Sequence, residues 1–365
     1  MTEIMTVLGP INPDNLGLTS MHEHVVYDGS IYRERWMKDL PPENQLPIKA
    51  DDQVALENIY HLRSNFILAW DAVSMHEEDV MVAEMVDFKT SGGSALVDMS
   101  VPGLRSDIES IQRISKKSGV HVVATTGLYS EDSWPDQFKS MSMRDYERYM
   151  LKEVGSGIED TDIKAGHLKA AIEDGVTPQG EKLLKAIAHV SSETGLSASI
   201  HHGVGMAPEQ VREVVRILLE QGMEPARILM CHMQNHLTSM DLETLFNDPE
   251  SRKLNLDFNK ELLDQGLTVG HDCFGHDYHL LSIGWYSPPE WMLVTATAEL
   301  CKAGYAGQIV LATDRYLKIL TRRYGGGGYS HLTEVVLPQL RMVDVTEEQI
   351  EQMTIKNPAR LLSRS

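Results

Sequence analysis

The 365-residue sequence predicts an α/β fold: a (β/α)8 barrel (a TIM barrel) with long loops over its C-terminal mouth, built as one domain over residues 1–365. Three observations predict it. Short β-type runs alternate with helix-length amphipathic stretches, a pattern that means parallel strands joined by helical crossovers. The alternation repeats eight times, which favours a closed barrel over an open sheet. Five of the runs carry, at or near their C-terminal ends, a residue able to bind or bridge metal ions. At the mouth of a barrel such residues converge however far apart they lie in sequence.

The elements follow in order. Leu16–His24 closes on His22-Glu23-His24, and in a strand alternate residues share a face, so the two histidines point the same way. Ser94–Val101 and His121–Tyr129 come next, the latter ending in Tyr129. Gly166–Ile172 carries Lys169, Leu196–His202 carries His201 and Ile228–Met233 carries His232. Leu267–Cys273 runs through Asp272, and Gln308–Asp314 closes on Asp314. Helical patterns fill gaps over Asp79–Ser91, Arg105–Ser118, Thr177–Thr194, Ala207–Gln221 and Pro289–Ala303. They stop at Gly92, Gly119, Gly195, Gly222 and Gly304, as helices commonly do. No Gly-x-Gly-x-x-Gly turn follows the first run, which removes support for an open dinucleotide-binding sheet.

Two segments exceed a minimal barrel. Val25–Ala72, with Pro41-Pro42, Pro47, Tyr27, Tyr32 and Trp36, is expected to contain helices and cover part of the mouth. Asp272–Pro289 is a second long loop. The run Gly325–Gly328 reads as a flexible kink in the loop after the last strand.

Composition narrows the function classes. Hydrophobic residues make up 42%, which excludes wholesale disorder. The net charge of −20 argues against a general nucleic-acid or anionic-membrane binder, since both want a basic surface. Cys231, Cys273 and Cys301 are too few and too odd for a disulfide framework and fit a reducing compartment. The N-terminus lacks the basic start and apolar run of a signal peptide, and no stretch approaches the roughly 18 apolar residues of a membrane span. A cytoplasmic location is expected. The expected partners are a small-molecule substrate and a second copy of the chain, as a homodimer, with neither nucleic acid nor membrane.

Nitrogen and oxygen donors of this kind suit zinc or a similar divalent ion, with manganese, cobalt or iron as alternatives. A binuclear arrangement follows, with His22, His24 and Asp314 on the more buried ion and His201 and His232 on the more exposed one. Two ions need a bridge. Lys169 qualifies if carbon dioxide converts its amine to an anionic carbamate. On the residues alone, an ordinary lysine paired with an acid is the simpler reading. Such a centre lowers the pKa of a shared water and polarises a carbonyl or phosphoryl oxygen, and Asp314 can both bind metal and carry a proton to the leaving group. Asp272 either assists the proton path or orients a metal-binding histidine. His202 faces the other side of its strand and reads as a packed barrel histidine, and Cys273 as a pocket-lining residue. After Asp314 the chain turns basic at Arg315, Lys318, Arg322 and Arg323. That cluster would either hold an anionic group of the substrate or pair with nearby carboxylates.

These residues resemble the phosphotriesterase family of the amidohydrolase superfamily, including its phosphotriesterase-like lactonases and phosphotriesterase-related proteins. The likeness rests on Val7-Leu8-Gly9-Pro10, on Gly17 to His24, on Ala165-Gly166-His167-Leu168-Lys169-Ala170-Ala171, and on the order of His201, His232 and Asp314. It implies a (β/α)8 barrel, two divalent ions bridged by carboxylated Lys169, and hydrolysis with Asp314 and Lys169 in catalytic roles. Tyr129 resembles the aromatic that lactonases place beside the metals. Asp272-Cys273-Phe274-Gly275 is similar to their Asp-Arg-aromatic-Gly, with cysteine in place of arginine. The loop carrying Arg322-Arg323-Tyr324 is more similar to the phosphotriesterase-related branch. The expected activity is hydrolysis of a lactone, ester or amide, with a phosphotriester or phosphodiester as the alternative and a non-catalytic binding barrel as the rival class. Tyr129, Asp272, Cys273, Lys318 and Arg322 are the expected substrate contacts, and a substrate with a distal anionic group is expected.

Overall fold

The computed structural model describes residues 2–40, 46–281 and 284–364. Pro41-Pro42, singled out in the sequence, lies outside the described residues. Eight strands form one parallel sheet: β1 Thr19–Glu23, β2 Ala95–Asp98, β3 His121–Gly127, β4 His167–Ile172, β5 Ala198–His202, β6 Ile228–Met230, β7 Thr268–His271 and β8 Ile309–Leu311. They neighbour one another in chain order. The ends of the sheet meet: Asp314 N–H donates to the His22 carbonyl at 3.0 Å, just past β8. A buried carboxylate seals this seam. Glu23 accepts from Ser20 Oγ, Thr313 N, Thr313 Oγ1 and Arg315 N at 2.5–2.9 Å.

A helix follows each strand: α1 Glu78–Thr90, α2 Ile108–Ser118, α3 Met143–Gly155, α4 Pro178–Thr194, α5 Pro208–Glu220, α6 Asp257–Asp264, α7 Glu290–Lys302 and α8 Leu337–Met342. Their boundaries follow local chemistry. Thr177 caps α4 by accepting from Gly180 N–H, with Pro178 in the first turn where its missing donor costs nothing. Gly119 and Gly195 end α2 and α4 in the left-handed conformation, which an L side chain resists.

Strand alternation divides the core. Leu168, Ala170 and Ile200 pack outward with the helix layer, alongside Leu96, Val122 and Ile309. Val97, Val123, Leu229, Cys231 and Val310 form a separate inner cluster, joined from below by Ile4, Leu16, Leu361 and Leu362. The chain termini close the bottom together, with Glu3 and Arg364 exchanging both backbone hydrogen bonds.

At the mouth, the described part of the segment after β1 forms the helix Ser30–Trp36, the helix Ile59–Ser64 and three 3-10 turns, as expected of a cover. The hairpin His279–Leu280 with Trp285–Tyr286 covers the β7 side. Two expectations need correction. Several strands end earlier than the sequence suggests, and the functional residues lie just past them. His232 (φ 57°) and Asp314 (φ 44°) adopt left-handed backbone, a strain of about 1–3 kcal/mol that concentrates at functional sites. Nor is Gly325–Gly328 a loose kink. A Cβ at Gly326 would collide with the Leu320 backbone, and one at Gly328 with the Glu84 carboxylate, so these glycines allow close packing.

Candidate metal centre

All six residues read as metal-binding line one cavity at the mouth: His22, His24, Lys169, His201, His232 and Asp314. His22, His24 and Asp314 present ligand atoms within 4.8 Å of one another. Both histidines aim Nε2 at Asp314 Oδ1, at 3.6 and 3.4 Å. That oxygen is buried and has no hydrogen bond. On the other side, the His201 ring lies 4.6 Å from the His232 ring, which lies 4.8 Å from His22.

Each histidine is oriented by a partner. Asp272 bridges two of them, with Oδ2 2.9 Å from His22 Nδ1 and Oδ1 2.9 Å from His232 Nδ1. It also accepts from His232 N–H and Gln234 Nε2. Burial alone would raise the Asp272 carboxyl, but His232 and His22 outweigh it and hold it well below the usual carboxylate range. An ionised Asp272 only accepts, so both histidines donate from Nδ1 and keep an Nε2 lone pair for the centre. His24 reaches the same state through Ser100, whose Oγ lies 2.8 Å from His24 Nδ1 and donates to Asp98 at 2.9 Å.

Protonation states suit cation binding. Burial, then the Lys169 charge, push His22 down to about 3, and burial with His232 pushes His201 down to about 4. Both are therefore neutral ligands near pH 7. For Asp314, burial would raise the carboxyl, yet His22, His24 and His232 overcome it and keep it anionic. Lys169 stands in the middle of the β4 face. Its Nζ is buried and has no hydrogen-bond partner, an expensive state for an amine. A lysine paired with an acid, the simpler sequence reading, is therefore not what the fold builds.

The remaining wall is aromatic. Tyr129 Oη lies 3.3 Å from His201 Nε2 and 2.6 Å from Tyr32 Oη, and Trp36, Tyr278, Trp285 and Tyr316 enclose the space above. Cys273 lines it with Sγ 3.6 Å from His232 Nδ1, as a pocket-lining residue should. His202 is packed away from the cavity beside His236, with its ring at 4.9 Å.

Three expected substrate contacts are elsewhere. Lys318 is buried and ion-paired with Asp71 at 2.6 Å and with Glu77. Arg322 pairs with Glu334 at 3.0 Å and Asp87 at 3.4 Å. Neither lines the cavity, because carboxylates from the β1 loop, α1 and the turn Leu332–Val336 before α8 claim them first. Asp272 has both oxygens occupied by His22 and His232 and does not line the cavity, so it orients those two rings. Sequence reasoning also missed Glu173 and Arg35, which do line the cavity. Glu173 Oε1 sits 3.2 Å from His201 Nε2 and 3.1 Å from Arg35 Nη1. Burial would raise its carboxyl, but His201 and Arg35 prevail and hold it below the usual range. Its signal was available: residues 169, 171 and 173 alternate onto one face.

The profile of the phosphotriesterase family matches residues 2–362. A phosphotriesterase-related protein of Nematostella vectensis is 30% identical over 364 residues, covering 98% of this chain and 97% of the relative. An N-acetyltaurine hydrolase of Tetraodon nigroviridis is 29% identical over 370 residues, covering 99% and 98%. Among solved structures, a resiniferatoxin-binding protein from Rhodobacter sphaeroides superposes with a TM-score of 0.87 at 27% identity, covering 99% of this chain and 94% of that one. No described helix is long and apolar enough to cross a membrane.

Proposed function

This chain belongs to the phosphotriesterase family and is a hydrolase, and on that premise we propose that it uses two divalent ions, in the first place zinc, to cleave a small N-acyl amide. His22, His24 and Asp314 would hold one ion, His201 and His232 the other, and Lys169 as a carbamate would bridge them. Bound there, such ions make water nucleophilic near neutral pH and polarise a carbonyl oxygen. The observation that carries the reading is the Lys169 amine, buried without a hydrogen-bond partner in the cavity that the histidine and aspartate donors share.

The chain's own residues do the rest. Asp314, kept anionic by the surrounding histidines, accepts the proton of the attacking water and returns it to the departing amine. Asp272 and Ser100 fix the tautomers of His22, His232 and His24. The aromatic wall excludes water from the reacting groups. The amide class is favoured because an N-acetyltaurine hydrolase is similar over nearly the full chain. A lactone is the second reading, favoured by Tyr129 beside His201.

The test is metal content, followed by a panel of N-acyl amino acids and N-acetyltaurine, a lactone and an aryl phosphotriester. Two ions per chain, a carbamate signal from 13C-labelled bicarbonate, and fastest turnover of an amide are expected. An unmodified Lys169 in metal-replete protein would end the bridged reading. Fastest turnover of the phosphotriester would end the acyl one.

A further inference from the structure

The four histidines are not supported alike. His22, His24 and His232 are each held at Nδ1 by groups on the barrel's strand ends. His201 is held at the opposite nitrogen: its Nε2 faces Glu173 Oε1 at 3.2 Å and Tyr129 Oη at 3.3 Å. That leaves Nδ1 for the centre. The same Glu173 oxygen is 3.1 Å from Arg35 Nη1, and Arg35 belongs to the mouth helix Ser30–Trp36. Its other nitrogens donate to Asp132 at 2.8 and 2.6 Å and to Ser130 at 2.8 Å. One buried carboxylate oxygen, at ion-pair distance from both though aligned for a hydrogen bond with neither, thus links a histidine of the outer position by charge to the helix that carries Tyr32 and Trp36 over the cavity.

We infer that Glu173 is a positioning residue that couples occupancy of the outer ion position to docking of the mouth helix. The inference rests on the two-ion reading above. A cation on one nitrogen of an imidazole draws electron density from the ring, so the ring edge at the other nitrogen becomes more positive and its attraction to the Glu173 carboxylate, 3.2 Å away, grows. Glu173 must be anionic to serve both His201 and Arg35, and an ordered Arg35 holds it in place for the ring. Coupling of this kind is reciprocal: whatever loosens the helix weakens the ion, and the ion stabilises the helix. The inner set lacks such a link, since Asp272, Ser100 and Asp98 all sit at barrel strand ends. Only the outer ion is therefore tied to closure of the mouth.

The experiment titrates metal-free protein with Zn(II) against a competing chelator in bicarbonate, and follows hydrogen exchange over residues 30–36. Wild type is expected to bind two ions, with the second raising protection of that helix. Glu173→Gln should weaken the second ion by about 10–100-fold, the usual scale for groups that orient metal ligands, and abolish the gain in protection. Its first-ion affinity should be unchanged, which also reports an intact barrel. Arg35→Met, which touches no metal ligand, should weaken the second ion in the same direction, and Glu173→Asp should restore part of it. If wild type binds two ions and both Glu173→Gln and Arg35→Met match it, the coupling is overturned alone. If wild type binds fewer than two, the two-ion reading falls and the coupling with it.

Discussion

Asp314 and Arg315 are neighbours in sequence, both buried and both ionisable, and they spend their hydrogen-bonding capacity in opposite ways. Arg315 donates to the carbonyls of Gly328, Gly275 and Phe274 at 3.0–3.1 Å and is closed off from the cavity. Asp314 leaves Oδ1 without a hydrogen bond and faces three histidines. The same contrast separates Lys169, with a bare amine, from Lys318, locked between two carboxylates. A buried charge with full partners is part of the scaffold. Asp314 and Lys169 combine an unfilled buried atom with a place on the cavity wall, which is what marks them as open to something else.

The sharpest way to break this comparison is to remove the charge on the open side. Asp314→Asn should keep the fold and lower kcat by about 10²–10⁴-fold, the range for losing a general acid–base group, because the amide cannot take the proton. Near-normal turnover of every active substrate would remove Asp314 from the proton path. The closed side should answer in stability. Arg315→Met strands three buried carbonyls, and each buried acceptor left unpaired costs about 1–3 kcal/mol. Urea unfolding should show that loss, while kcat of the folded fraction stays near wild type.

Acid sharpens the contrast further. His22 and His201 stay neutral in the fold down to about 3 and about 4, whereas their unfolded counterparts take up protons from about pH 6.5. Between pH 6.5 and 4 the unfolded chain binds protons that the folded one refuses, so stability falls as pH falls. Each histidine contributes up to about 1.4 kcal/mol per pH unit, and above pH 6.5 the effect disappears. Melting of the metal-free protein across that range checks it, and a flat profile would mean these histidines are not held neutral. The smallest kinetic effect is expected from Lys318→Ala with Arg322→Ala. KM for anionic and neutral substrates should both stay put, while the melting temperature drops through the lost Lys318 pairs. A selective rise for the anionic substrate would restore the basic loop to the cavity.

Much of this was legible in the sequence. Gly119 and Gly195 mark helix ends because few other residues sit comfortably at their positive φ, and alternation in β4 and β5 tells Lys169 and His201 from their outward neighbours. Ligand residues at strand ends follow from barrel geometry itself. The rest was hidden for physical reasons. Whether Lys318 meets substrate or Asp71 depends on a contact between residues 247 apart, and no local periodicity reports such a distance. His232 and Asp314 read as strand because each follows an apolar run, yet the backbone turns left-handed there. Glu173 carried a period-two signal from Lys169 that went unused because it lies one residue beyond β4.

The seam at Glu23 has a consequence for how the molecule is made. This residue, next to the first ligand pair, accepts hydrogen bonds from residues 290 and 292 positions later. His22 and His24 leave the ribosome long before Asp314. In the interval a nascent chain holds the two histidines without the aspartate that joins them. Contacts this distant close slowly, after the local βα units have formed. Until β8 docks against β1, the grouping of His22, His24 and Asp314 does not exist, and a chain truncated before Asp314 would never acquire it. Assembly of these three side chains would then certify that translation ran past Asp314 and that the first and last strands found each other.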